Sequence, residues 1–83
     1  KDTDETITHA GIATLGMLAD TPQGPEALAA LLPVMDSDSW RSRMYLAHAL
    51  KPFDDTTAKE SLIQLRHDPH HKVVAAALEN LVA

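Results

Sequence analysis

Val73-Val74-Ala75-Ala76-Ala77-Leu78-Glu79-Asn80-Leu81 is the stretch on which the reading of this chain turns. It opens on an apolar residue, carries small residues one turn on, and ends on Leu. Ile7-Thr8-His9-Ala10-Gly11-Ile12-Ala13-Thr14-Leu15 has the same form, and Ser42-Arg43-Met44-Tyr45-Leu46-Ala47-His48-Ala49-Leu50 is a looser third copy. Leu50 lies 35 residues after Leu15 and 31 before Leu81. Asp precedes each copy: Asp2 and Asp4, then Asp36 and Asp38, then Asp68. A period in the low thirties built of two helices is the signature of stacked helix pairs. Small residues let the recurring helix approach its neighbours, long apolar residues fill the seam, and the Asp is expected to cap the helix after a tight turn.

Working outward, four breaks divide the chain into five helical segments. The first is expected over about 4–19, with Ile7, Ala10, Gly11, Thr14, Leu15 and Leu18 on one face. Thr21-Pro22-Gln23-Gly24-Pro25 interrupts it, and Pro25 suits a first helical position. The second segment, about 25–35, carries a Leu28, Leu31, Leu32, Met35 stripe with Pro33 inside it, so a kink or early end is expected there. Asp36-Ser37-Asp38-Ser39 reads as a turn and cap before a third segment over 39–50, which Lys51-Pro52 stops. The fourth spans about 55–66 with Ala58, Leu62 and Leu65 on one face. The fifth spans 69–82, with Asp68 as the expected cap and Pro69 as the first helical residue. No segment alternates as a half-buried strand does. The expected fold is all-α: a right-handed solenoid of antiparallel pairs, the first helix without a partner of its own.

Composition narrows the functional classes. With 83 residues the chain is one small domain, 1–83, with a thin core. No residue is Cys, which removes disulfides and thiolate metal sites. A net charge of −5 with seven Lys and Arg disfavours nucleic-acid binding, which depends on neutralising phosphates. No apolar run is long enough for a bilayer and no signal-type segment opens the chain, so a membrane association is not expected and the cytoplasm is favoured. Lys1 at one end and Val82-Ala83 directly after an apolar helix at the other read as cuts in a longer protein.

The pattern resembles HEAT-like repeats, particularly the short bacterial variety of phycobilisome lyases. In these repeats Asp precedes a few polar residues, Val-Arg, and Ala-rich turns that end in Ala-Leu. Asp68, Val73, Ala76, Ala77 and Leu81 carry the resemblance, as do Asp2, Ile7, Ala10, Leu15 and Gly16. The family's Arg is met at Arg43 alone; Thr8 and Val74 stand at the matching positions, and Trp40 and Tyr45 are bulkier than the pattern expects. The resemblance covers nearly the whole chain, as about two and a half repeats. It implies a protein-interaction scaffold and, more remotely, a subunit or domain of a bilin-lyase-type enzyme or a nucleic-acid-binding module.

Candidate chemistry is sparse. There is no Gly-x-Ser-x-Gly elbow and no phosphate-binding Gly loop, and catalytic residues and cofactors are not expected. HEAT-like repeats can host the iron of deoxyhypusine hydroxylase through His-Glu dipeptides, and this chain has none. His67, Asp68, His70 and His71 crowd one turn and are candidate metal ligands by residue type. His70 and His71 nonetheless point about 100° apart on one helix, and a polar turn with a cap is the commoner arrangement. Arg41, Arg43 and Lys72 stand near the starts of two equivalent helices, where stacking sets them side by side. They are candidates for an anion-binding ridge, or, for Arg43, for a structural bond to Asp36, Asp38 or Asp68. Trp40 and Tyr45 are the candidate contact aromatics, with filling of the inter-repeat seam as the alternative. The expected interaction surface is therefore Trp40, Arg41, Arg43, Tyr45 and Lys72. The expected partner is a protein, with self-association through exposed repeat ends.

Overall fold

A computed structural model describes residues 2–81, with side chains from His9 to Leu81. The side chains of Asp2, Asp4 and Ile7, and Val82 altogether, lie outside the described residues. Five α-helices follow in order: α1 (Asp2–Gly16), α2 (Gly24–Leu31), α3 (Trp40–Leu50), α4 (Thr56–Leu65) and α5 (His71–Leu81). No strand occurs among the described residues.

Local chemistry sets most of the boundaries. Asp55 Oδ1 accepts the Thr57 N–H at 2.7 Å and opens α4. Ser39 Oγ accepts the Ser42 N–H at 3.3 Å and opens α3, so Ser39 rather than an Asp is the cap. Pro33 acts as expected: α2 ends at Leu31 and the chain narrows to a 3-10 turn over Leu32–Asp36. A helical bond from the Pro33 nitrogen is impossible, and the tighter winding carries the chain past it.

The fifth helix starts later than expected. Asp68 Oδ2 accepts the His70 N–H at 2.8 Å, which bends the chain across Pro69. His70 then takes the capping position. Its carbonyl accepts the Val74 N–H at 3.1 Å and its ring Nδ1 accepts the Lys72 N–H at 3.1 Å. Asp68 thus lies two residues too early to cap, because its carboxylate is committed to the bend.

α1, α3 and α5 lie side by side in one layer, α3 in contact with both of the others. α2 packs on α1, α4 packs on α5 and α3, and the 3-10 turn bridges α3 and α4, which makes the second layer. The molecule measures 32 × 28 × 17 Å, a slab two helices thick. Leu31, Leu46, Leu50 and Val73 are fully buried between the layers, joined by Leu28, Phe53, Ala58, Leu62, Leu65 and Ala77.

The apolar face of α1 differs from expectation. Ile12 and Gly16 are buried and His9, Leu15, Leu18 and Ala19 half-buried, whereas Ala10, Gly11 and Thr14 face solvent. Small residues surround the whole of this helix, so Ile12, one large side chain about 100° round from the expected stripe, sets the orientation. A Cβ on Gly16 would lie 3.2 Å from the Cα, Cβ and O of Ala49, which marks the close crossing of α1 and α3.

Candidate interaction surfaces

The α3/α5 seam is the most extensive helix contact and places most of the charged candidates. Arg43, one turn into α3, donates from Nε to Asp68 Oδ1 at 2.7 Å and from Nη2 to Asp68 Oδ2 at 3.2 Å. Its Nη1 also donates to the Ser37 carbonyl. One guanidinium thereby ties the turn before α3 to the turn before α5, in the bidentate geometry that Arg favours. Only 15% of the Arg43 side chain and 7% of the Asp68 side chain stay exposed, so the pair is a rung inside the stack. Burial pushes the Asp68 carboxyl up. Hydrogen bonds from Arg43 and the His70 N–H, with the attraction of the nearby cations, outweigh it and leave the pKa below the ordinary 3.8.

A second group gathers at the same end of the seam. The Trp40 indole stacks on the His70 ring at 4.0 Å with 8° between planes, and His70 stacks in turn on His71 at 4.9 Å and 14°. Arg41 Cζ lies 4.6 Å and Lys72 Nζ 5.4 Å from the Trp40 ring centroid. Desolvation lowers the His70 pKa below 6.5, helped by repulsion from His71, Lys72 and Arg43 and opposed by Asp68. No three His, Asp or Glu side chains among the described residues converge on a common point suited to a metal. Trp40, Arg41 and Lys72 are therefore brought together, while Arg43 is turned inward to Asp68.

Tyr45 lies apart from that group, on the α1 side of α3. It is 41% exposed, and its ring centroid is 4.3 Å from that of His9. His9 Nε2 sits 3.2 Å from Oγ of the buried Ser42, a polar link across α1 and α3. Farther along the same pair of helices a groove of about 560 Å³ opens, lined mainly by Ala13, Met17, Tyr45, His48, Ala49 and Pro52. Met17 is 80% exposed at its rim. Of these lining residues the sequence reading named only Tyr45 as a contact residue. The others depend on the orientation of α1, which the sequence did not make plain.

Polar contacts cross both seams, α1 on α3 and α3 on α5. His9 meets Ser42, 33 residues on, and His48 Nδ1 meets Asn80 Nδ2 at 2.9 Å, 32 residues on. A sequence description of HEAT repeats matches residues 1–82. The chain belongs to the HEAT repeat family. Comparison with curated proteins and with solved structures finds no match. As in other stacked repeats, each pair of this HEAT module covers its neighbour. Ala47, on the side of α3 that faces α5, is fully buried; Leu78, 31 residues on in α5, is 44% exposed, and Ile63 of α4 is 45% exposed. No helix among the described residues is long and apolar enough to cross a membrane.

Proposed function

We propose that this HEAT module is a protein-interaction scaffold that seats an apolar helical segment of a partner protein in the groove between α1 and α3. The observation that carries the reading is the apolar lining of that groove, with Met17 and Tyr45 open to solvent at its edge. Met adapts its shape to varied surfaces, and Tyr supplies large contact area at small entropic cost. The floor at Gly16 and Ala49 is rigid, because two helices cross there at contact distance. No reaction is assigned to the chain.

The test is a selection of displayed helical peptides on the intact chain. Peptides with apolar residues at i, i+3, i+4 and i+7 are expected, and they are expected to lose binding to Tyr45→Glu and Met17→Glu. Enriched peptides that bind both variants as tightly as the parent would refute the groove as the site. A subunit of a bilin-lyase-type enzyme is the alternative, supported by a groove volume in the range of small-molecule sites. A shift in absorbance when a linear tetrapyrrole is added would favour that alternative.

A further inference from the structure

The charge of the chain is unevenly placed. Twelve Asp and Glu outnumber seven Lys and Arg, yet α3 and α5 begin with Arg41, His71 and Lys72 exposed along one edge. The ion pairs among the described residues are Arg43–Asp68 and Lys59–Asp54. Arg41 and Lys72 belong to neither, and neither Asp36 nor Asp38 in the preceding turn pairs with them. Asp68, in the turn before α5, is consumed by Arg43 and the His70 N–H. Two cations thus flank a half-buried indole that is already braced by the stacked ring of His70.

We propose that this tier (Trp40, Arg41, His71 and Lys72) is a docking surface for an acidic peptide segment of a partner protein. Carboxylates of the segment pair with Arg41 and Lys72, and its backbone or an apolar side chain lies against Trp40. An indole held by a stacked neighbour loses little freedom on binding, which favours it as an anchor. Charge complementarity selects the partner, since the rest of the acidic surface repels an anionic chain and orients it toward this edge. A peptide fits better than a nucleic acid. Two cations on a chain of net charge −5 neutralise too few phosphates to hold a polyanion. The surface lies at the end of α3 opposite the groove, so failure of the groove reading leaves it standing.

Trp40 is the single tryptophan, and its emission reports directly on the site. The full chain is titrated with a synthetic Glu-Ala peptide, with a Lys-Ala peptide of equal length, and with oligothymidylate, at low and high salt; calorimetry supplies a second readout. A saturable change with the Glu-Ala peptide alone, weakened by salt, is the expected result. The double variant Arg41→Gln/Lys72→Gln is expected to bind about tenfold or more weakly. Lys51→Gln, at the far end of α3, is expected to bind as the parent does. Far-UV circular dichroism verifies that each variant is folded. Tighter binding of oligothymidylate, equal binding of the Lys-Ala peptide, or parental affinity in the double variant would each overturn the proposal.

Discussion

Replacing Arg43 by Met tests whether the Arg43–Asp68 rung holds together the turns before α3 and α5. Met retains an apolar stem of similar reach, so the change reports on the guanidinium rather than on packing. Three hydrogen bonds disappear: two to Asp68 and one to the Ser37 carbonyl. Each hydrogen bond to a charged group is worth about 1.5–3 kcal/mol, and stripping one partner from a buried pair costs about 3–5 kcal/mol. The residual exposure of the two side chains, 15% and 7%, admits some water to the orphaned carboxylate and argues for the lower part of that range. The His70 N–H continues to satisfy one of its oxygens. A loss of about 2–4 kcal/mol is expected, against a total of about 4–12 kcal/mol for a domain of 83 residues. Urea unfolding followed by circular dichroism measures it, and Tm should fall by about 4–8 °C for each kcal/mol. A cycle with Asp68→Asn isolates the pair, with a coupling energy above about 1 kcal/mol expected. A loss below about 0.5 kcal/mol in Arg43→Met, or an additive cycle, would refute the claim that this rung holds the two turns together.

Five further outcomes follow from the same geometry. A Cβ at position 24 would lie 2.6 Å from the Ala19 carbonyl oxygen, so Gly24→Ala should destabilise by about 1–3 kcal/mol. Gly11→Ala, with nothing within 4 Å of the new carbon, should stabilise by about 0.5–1 kcal/mol in the same unfolding assay. The lowered Asp68 pKa gives stability that is present above the unfolded value and lost as pH falls through the folded one. Acid unfolding monitored below about pH 4 should therefore flatten in Asp68→Asn. The His70 pKa is also lowered, so its contribution is complete above its unfolded value and declines as pH falls through the folded one. Protonation also removes the Nδ1 acceptor that caps α5. Unfolding midpoints between about pH 7.5 and 5.5 should fall in the parent and hold steadier in His70→Asn, since Asn caps at either pH. Lastly, Leu78→Glu should suppress self-association at high concentration, read by sedimentation velocity, because it charges the uncovered side of α5.

What the sequence made legible was set by residues with a single meaning. Pro33 has no N–H to give, and the helix narrows there. Val73, Ala76 and Ala77 sit on one face of a strongly patterned helix, and all three are buried. α1 was misread by about 100° because Ala10, Gly11, Ala13 and Thr14 suit a buried or an exposed position equally, and side-chain area alone separates Ile12 from them. The start of α5 was misread by two residues for a different reason. Asp68 satisfies the rule for a cap, but a carboxylate that accepts the N–H two residues on bends the chain first, and only the fold reveals which use it takes. Arg43 had three acidic candidates within reach of a reader; stacking of α5 on α3 selects Asp68, a long-range fact that no local pattern encodes.

Repetition makes one further comparison informative. Positions 31 apart on α3 and α5 occupy the same place in their helices, so differences in burial between them isolate the effect of a neighbour. Ser42 and Val73 are both buried, as are Leu46 and Ala77. Ala47 and Leu78 differ, 0% against 44% exposed, because α5 lies over the first and nothing among the described residues lies over the second. The residue types run counter to a surface role: the covered position holds the small side chain and the open one the large. A Leu 44% exposed forfeits somewhat less than half of its burial free energy, which is about 1.5–3 kcal/mol for a fully buried side chain. That free energy is recovered only when an apolar surface covers Leu78. The end of the stack thus gains by contact, and it lies on neither the groove nor the Trp40 tier. With the proposed groove and the proposed Trp40 tier, this end gives the slab three separate candidate contact faces, as the proposed scaffold role requires.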